Sequence, residues 1–314
     1  MLDAAIQLGS NLPRLWNKEA CVNRTEEEMT NFLSIPAAVE KYVLPGSTVA
    51  LEGFTHLIPF AAGHEIIRQQ IGDLTLVRMT PDLLYDQMIG MGLVRKLVFS
   101  WGGNPGVGSL HRFRDAIEHR WPRKLEIDEF SHAAMACAYE AGAAGLPCAV
   151  FRGHRGTDLP KANRYIKFIS CPFTGEQLAC IPSIRPDVTI VHAQKADRFG
   201  NVMIEGIVGV QKEAALAAKV AIATVEEIVD ELGVRSTNAV ILPSWVIAAV
   251  AHAPLGAKPS YAHGYYSRDN SFYKRWDSIS RDRDVFLKWM HENVVDDEGL
   301  HSLRRESPTR EGVS

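Results

Sequence analysis

The amino-acid sequence predicts an α/β fold: three layers, α/β/α, around an open, mostly parallel sheet. Three observations predict it. Apolar runs of strand length recur at 48–51, 74–79, 94–101, 188–194, 221–225 and 238–243. Helical stretches, amphipathic or rich in small residues, separate most of these runs. Short apolar runs separated by helices are the pattern of a mostly parallel sheet covered on both faces.

Taken in order, Ile35 opens a helix whose Ala38, Val39, Tyr42 and Val43 share a face, and Pro45-Gly46 turns the chain into the strand 48–51. A second amphipathic helix spans 59–72 and ends at Gly72. The strands 74–79 and 94–101 flank a helix at 82–92, and 112–121 is helical. The stretch 131–146 is a small-residue helix closed by Gly145-Leu146-Pro147, with acidic 126–129 read as its solvated first turn. The strand 188–194 leads to a polar turn at 197–201, and helix 213–220 precedes the strands 221–225 and 238–243.

Of 314 residues, 46% are hydrophobic and 23% charged, which excludes a disordered or fibrous chain and permits a core without disulfide or metal staples. A net charge of −3 leaves no electrostatic footprint for nucleic acid or an anionic membrane. The odd set Cys21, Cys137, Cys148, Cys171 and Cys180 has no CxxC spacing and reads as reduced, mostly buried thiols. No run nears the ~20 apolar residues of a membrane span, and no basic-then-apolar leader opens the chain. The expected compartment is the cytoplasm. Residues 1–31, weakly patterned and carrying Glu26-Glu27-Glu28, are expected to be an N-terminal extension; 32–297 form one domain and 298–314 a polar tail.

In an open parallel sheet, ligands sit beyond the carboxyl ends of strands. Three segments fall there: 53–59, 101–109 and 193–201. The glycine-rich loop 101–109 has neither a phosphate-loop Lys nor a GxGxxG fingerprint. It is either a plain strand-to-helix turn or a backbone cradle for a carboxylate, thioester oxygen or pyrophosphate. Glu52, a carboxylate ending an apolar strand, is either solvated and paired with a cation or functional, with His56 a candidate partner. Arg152, His154 and Arg155 form a basic cluster suited to an anion or to plain surface charge. The aromatic stretch 263–277 reads as a loop over a pocket or at a subunit interface. No GxSxG nucleophile appears, and no metal site is expected.

The segments 49–68, 104–118, 125–153, 187–206 and 253–280 together resemble the α (A) subunits of family I coenzyme A transferases, glutaconate CoA-transferase among them. Phe54 and Pro59 stand where that family carries its Gly-Gly-Phe…Pro segment, with Glu52 replacing the first glycine. The likeness runs from about Ser34 to Val295. It implies a NagB/RpiA-like fold and a heteromer, a heterotetramer or heterooctamer, with a β subunit. It also implies coenzyme A as substrate, with no permanently bound cofactor. In such enzymes the β subunit carries a glutamate, in a Ser-Glu-Asn-Gly context, that attacks the acyl-CoA thioester; this chain lacks that motif. The resemblance leaves to this chain the acyl-side pocket: Gly53, Phe54, Thr55, His56, Asn104, Gly106, Ser131 and Gln194. Two alternatives accompany it. One is the A subunit of a ring-opening hydrolase of a cyclic CoA thioester in steroid degradation, with Glu129 or Glu52 as its carboxylate, near Asp128. The other is a non-catalytic ligand-binding relative.

Overall fold

The structure, a computed structural model, describes residues 30–296 except 106, 234 and 235, so Gly106, Cys21, 1–29 and the tail lie outside the described residues. In chain order the first half comprises β1 (Asn31–Phe32), α1 (Ile35–Tyr42), β2 (Thr48–Glu52), α2 (Phe60–Arg68), β3 (Leu74–Arg78), α3 (Leu83–Gly90), β4 (Val94–Phe99), α4 (His111–Glu118), β5 (Glu126–Glu129), α5 (His132–Ala143) and β6 (Cys148–Phe151). The second half comprises α6 (Leu159–Ala162), β7 (Lys167–Ser170), β8 (Gln177–Pro182), β9 (Val188–Asp197), β10 (Val202–Ile204), α7 (Gln211–Ala217), β11 (Val220–Val229), β12 (Val240–Leu242), β13 (Ile247–His252), α8 (Asn270–Arg281) and α9 (Arg283–Met290).

The parallel sheet has the order β1-β13-β11-β9-β2-β3-β4-β5, and β10 and β12 add an antiparallel excursion beside β9. Strands β2 to β5 build outward in one direction, and β9, β11 and β13 in the other. The chain therefore reverses its building direction between β2 and β9, where Glu52 stands in register with Val191. That junction is where open α/β sheets leave a crevice at their carboxyl edge.

Side chains alternate between the two faces of β2. Val49 and Leu51 enter a core shared with Phe60, Leu84 and Trp276, whereas Ala50 enters a second core with Met135, Tyr139 and Ala214. Glu52, two residues after Ala50, is thereby aimed at the α5 side. These two cores on opposite faces are the three layers read from the sequence.

Several expectations need correction. The acidic stretch 126–129 is not a helical turn but the edge strand β5, parallel to β4; α5 begins after it, capped by Ser131. Helix α2 stops at Arg68, before Gly72. The aromatic stretch 263–277 is largely α8, capped by Asp269, and Tyr273 and Trp276 lie in the chain's own core. The indole N–H of Trp276 donates to the buried carboxylate of Asp86 at 2.9 Å. Cys137, Cys148, Cys171 and Cys180 are free but half-exposed rather than buried. Cys148 and Cys180 belong to a small antiparallel sheet, β6-β8-β7, whose first strand falls on the strand-like run 148–151.

Candidate active site

Glu52 ends β2 fully enclosed. Its carboxylate accepts the Tyr139 hydroxyl at 2.8 Å and is served by the backbone N–H groups of Met79 and Gly53. Burial pushes its carboxyl up to about 7, against the pull of nearby Arg78. The solvated, cation-paired strand end that the sequence allowed is therefore wrong: Arg78 spends its guanidinium on Asp82 at 3.0 Å and on the Gly53 carbonyl at 2.8 Å. A cavity of about 150 Å³ opens beside Glu52, lined otherwise by Phe54, Met79 and the segment 207–210. It is a carboxyl group in an apolar pocket, the environment that keeps such a group protonated near neutrality.

The turn that follows is strained. Thr55 and Leu57 both adopt left-handed backbone, with φ of 60° and 52°, at a cost of order 1–3 kcal/mol each that persists only where the surroundings over-determine the shape. The surroundings do so here. The Ser260 hydroxyl donates to the Thr55 carbonyl at 3.2 Å, and the Leu57 N–H donates to the Tyr261 carbonyl at 2.9 Å. Gly53 is obligatory, because a Cβ there would stand 2.8 Å from the His56 carbonyl oxygen and 2.7 Å from that of Leu57.

His56 does not pair with Glu52. Its Nε2 donates to the Glu205 carbonyl at 3.1 Å, its ring packs 4.9 Å from that of Tyr261, and burial holds its pKa below the usual imidazole range. Among the described residues Nδ1 is a buried acceptor with no partner. Gln194, near the end of β9, grips the same residue: its amide donates to the Glu205 carbonyl at 2.9 Å and accepts the Glu205 N–H at 3.0 Å. Gly206 completes the junction, since a Cβ there would lie 2.8 Å from His56 Nε2. The structure thus brings Glu52, Gly53, Phe54, Thr55, His56 and Gln194 together at the reversal point, with 205–210, a segment that sequence reasoning passed over, as the opposite wall.

The remaining candidates stand apart. Asn104 is buried in the loop after β4, where its amide donates to the Tyr273 carbonyl at 2.8 Å and ties the loop to α8. Ser131 accepts the Ala134 N–H at 3.2 Å as the cap of α5. Ser131→Ala is expected to lower stability by about 1 kcal/mol in urea denaturation. Glu129 is exposed on β5, three strands from β2, roughly 14 Å at ~4.8 Å per strand. In the basic cluster, Arg152 pairs with Glu176 at 3.0 Å and Arg155 donates to the Gln177 carbonyl at 2.7 Å, so both serve the small sheet.

Comparisons with known proteins identify the family. The family model described as "Coenzyme A transferase" matches residues 32–253. The chain is 65% identical over 266 residues to the A subunit of 3-oxoadipate CoA-transferase from Pseudomonas knackmussii, covering 85% of this chain and 94% of that one. It is 34% identical over 298 residues to the A subunit of glutaconate CoA-transferase from Acidaminococcus fermentans, covering 88% and 92%. The crystal structure of the Acidaminococcus fermentans glutaconate coenzyme A-transferase superposes with a TM-score of 0.81 over 88% of this chain and 92% of that one, at 32% identity. The cholesterol ring-cleaving hydrolase IpdA subunit of Rhodococcus jostii is a more distant relative, 25% identical over 247 residues, 74% of this chain and 81% of that one. The chain belongs to the coenzyme A transferase family, and the relatives it matches over most of their length are A subunits.

Proposed function

We propose that this subunit, with a β-type partner, moves CoA between an acyl-CoA and a short 3-oxo dicarboxylic acid of the 3-oxoadipate kind. The observation that carries this reading is the 65% identity to the A subunit of a 3-oxoadipate CoA-transferase over 94% of its length. The cavity supports it. It is a small apolar pocket of about 150 Å³ beside Glu52, with room for a short acyl chain.

In this reading the nucleophile is a glutamate of the partner. Its carboxylate attacks the thioester carbonyl, giving an acyl–glutamyl anhydride and CoA thiolate. The thiolate then attacks the glutamyl carbonyl of the anhydride, releasing the first acid and leaving a glutamyl-CoA thioester. The second acid takes over the CoA by the same two steps in reverse. The present chain supplies the acyl-side wall. The 53–57 turn presents backbone at the reversal point, Phe54 and 207–210 line the acyl chain and exclude water, and His56 and Gln194 hold the opposite wall through Glu205. With its carboxyl raised to about 7 by burial, Glu52 is in part protonated at neutral pH, and in that form it spares an acidic substrate a second anion. We place Asn104 and Ser131 in its supporting framework.

The test is co-expression with the β-type partner, followed by assay of CoA transfer from succinyl-CoA to dicarboxylic and 3-oxo acids. A CoA adduct labile to hydroxylamine and reducible by borohydride is expected on the partner, in an assembly of α2β2 or larger. A complex that hydrolyses cyclic CoA thioesters and forms no adduct on either chain would overturn the reading.

A further inference from the structure

A second buried cluster lies behind the strained turn. Glu226, on β11, is 5% exposed and ends a carboxylate among three donors. Oε1 accepts His192 Nε2 at 2.7 Å and the Tyr266 hydroxyl at 2.5 Å, and Oε2 accepts the Leu255 N–H at 2.7 Å. Burial alone would raise this carboxyl; the His192, Tyr266 and Leu255 hydrogen bonds hold it below the ordinary carboxylate range. The His192 ring is fixed from its other side, with Nδ1 2.8 Å from the Thr224 hydroxyl.

What matters is where those donors sit. Leu255 and Tyr266 are the two ends of one segment, 255–266, which crosses the carboxyl edge of the sheet. Leu255 itself is left-handed, with φ of 60°, and the Tyr266 oxygen accepts the Ala257 N–H at 3.1 Å, so the segment is closed on itself around Glu226. Its middle residues, Ser260 and Tyr261, make the two hydrogen bonds that hold Thr55 and Leu57 in left-handed backbone. Near its start, the Gly256 carbonyl accepts the Ala61 N–H at 2.9 Å, at the beginning of the helix that follows the turn.

We infer that Glu226 is a positioning residue for the transfer reaction: it clamps both ends of 255–266, and that segment holds the 53–57 turn in its reacting shape. The inference rests on the assignment of that turn to the acyl site. It places the origin of the turn's strain two strands away from β2, on β11, in a residue that touches neither substrate nor Glu52.

Glu226→Gln replaces one of the two accepting oxygens with a donating NH2, so the ties on that side lose their acceptor and must rearrange. In the assembled complex, Glu226→Gln is expected to lower kcat at least tenfold while KM for the acyl-CoA stays within about threefold. Ser260→Ala cuts the same line further along, so it should lower kcat too, and the double variant should fall no further than the worse single one within about twofold. Tyr266→Phe removes one tie with little change in packing and is expected to give a smaller kcat loss, again non-additive with Ser260→Ala. It decides the matter should Glu226→Gln not assemble. Lower thermal stability with unchanged kcat in the assembled variants, or multiplicative effects with Ser260→Ala, would overturn the inference while leaving the function standing. A wild-type complex with no CoA transfer would overturn both.

Discussion

Gly53→Val is expected to reduce CoA transfer at least ~100-fold in a complex that still assembles with its partner. The obstacle is steric and local. Gly53 lies where the chain leaves β2 and doubles back, and the carbonyl oxygens of His56 and Leu57 occupy the space that a Cβ would need, at 2.8 and 2.7 Å. Both atoms are backbone, so the clash cannot be relieved by a rotamer change; the turn itself must open. Opening it moves Thr55 and Leu57 out of their left-handed conformations and breaks the links to Ser260 and Tyr261. The turn stands beside the Glu52 cavity, and a displacement of about 1 Å at a positioned reacting group costs on the order of 100-fold. Light scattering with the β-type partner checks assembly, and steady-state kinetics check turnover. Gly53→Ala, with the same Cβ and no further branches, should show the same loss in milder form. Turnover within about threefold of wild type in an assembled Gly53→Val complex would remove the turn from the site.

The sheet was legible because burial on both faces leaves a chemical record. Val49, Ala50 and Leu51, or Ala221, Ile222 and Ala223, are apolar at successive positions, and only a covered parallel strand or a buried helix segment reads that way. The edge strand β5 left no such record. Glu126, Ile127 and Glu129 are exposed, and acidic residues before the Ser131 cap imitate the start of a helix. In the small antiparallel sheet the apolar run of β6 reads as a strand, whereas β7, exposed throughout, does not. Helix α8 does carry a helical signal, since Tyr273, Trp276 and Ser280 are buried at helical spacing behind the Asp269 cap. The many aromatic and charged residues around them mask that period.

The site divides along the same line. Glu52 and the 53–59 segment stood out because a carboxylate ending an apolar strand is chemically conspicuous. Its partner did not, since Tyr139 is 87 positions away and looks like one more residue of a small-residue helix. The wall at 205–210 carries no titratable signature beyond Glu205, and its part in the site comes from close approach at Gly206 and Gly209, against His56 and Phe54. Pairing across a fold is set by topology, which a single sequence does not display residue by residue.

Glu52→Gln should gain stability relative to wild type, by roughly 3 kcal/mol, as the pH rises from 4.5 to 8. In the folded chain the carboxyl titrates at about 7, against an ordinary value of 4.5. Below the lower value both states are protonated and Glu52 adds no penalty. Between the two, the unfolded chain releases the proton and the folded chain keeps it, so stability falls as pH rises. Above about 7 the folded chain carries a buried anion, and the loss has reached roughly 3 kcal/mol. Glutamine never ionises. Whatever its amide nitrogen loses against one of the three donors around Glu52 is the same at every pH, so the change of the difference with pH is the readout. The difference between variant and wild type cancels every other titrating group, including buried Asp86, whose carboxyl is also pushed up, to about 6. Denaturant titrations of both proteins from pH 4.5 to 8 therefore isolate Glu52, and a flat difference would remove it as a buried protonated acid. Kinetics of the same variant separate the two chemistries. With the nucleophile on the partner, loss of the Glu52 proton donor costs about 1–2 kcal/mol of transition-state stabilisation, whereas a hydrolase drawing its base from this carboxylate would lose several orders of magnitude. A near-inactive Glu52→Gln complex, stable and fully assembled, would move the reactive carboxylate from the partner into this chain.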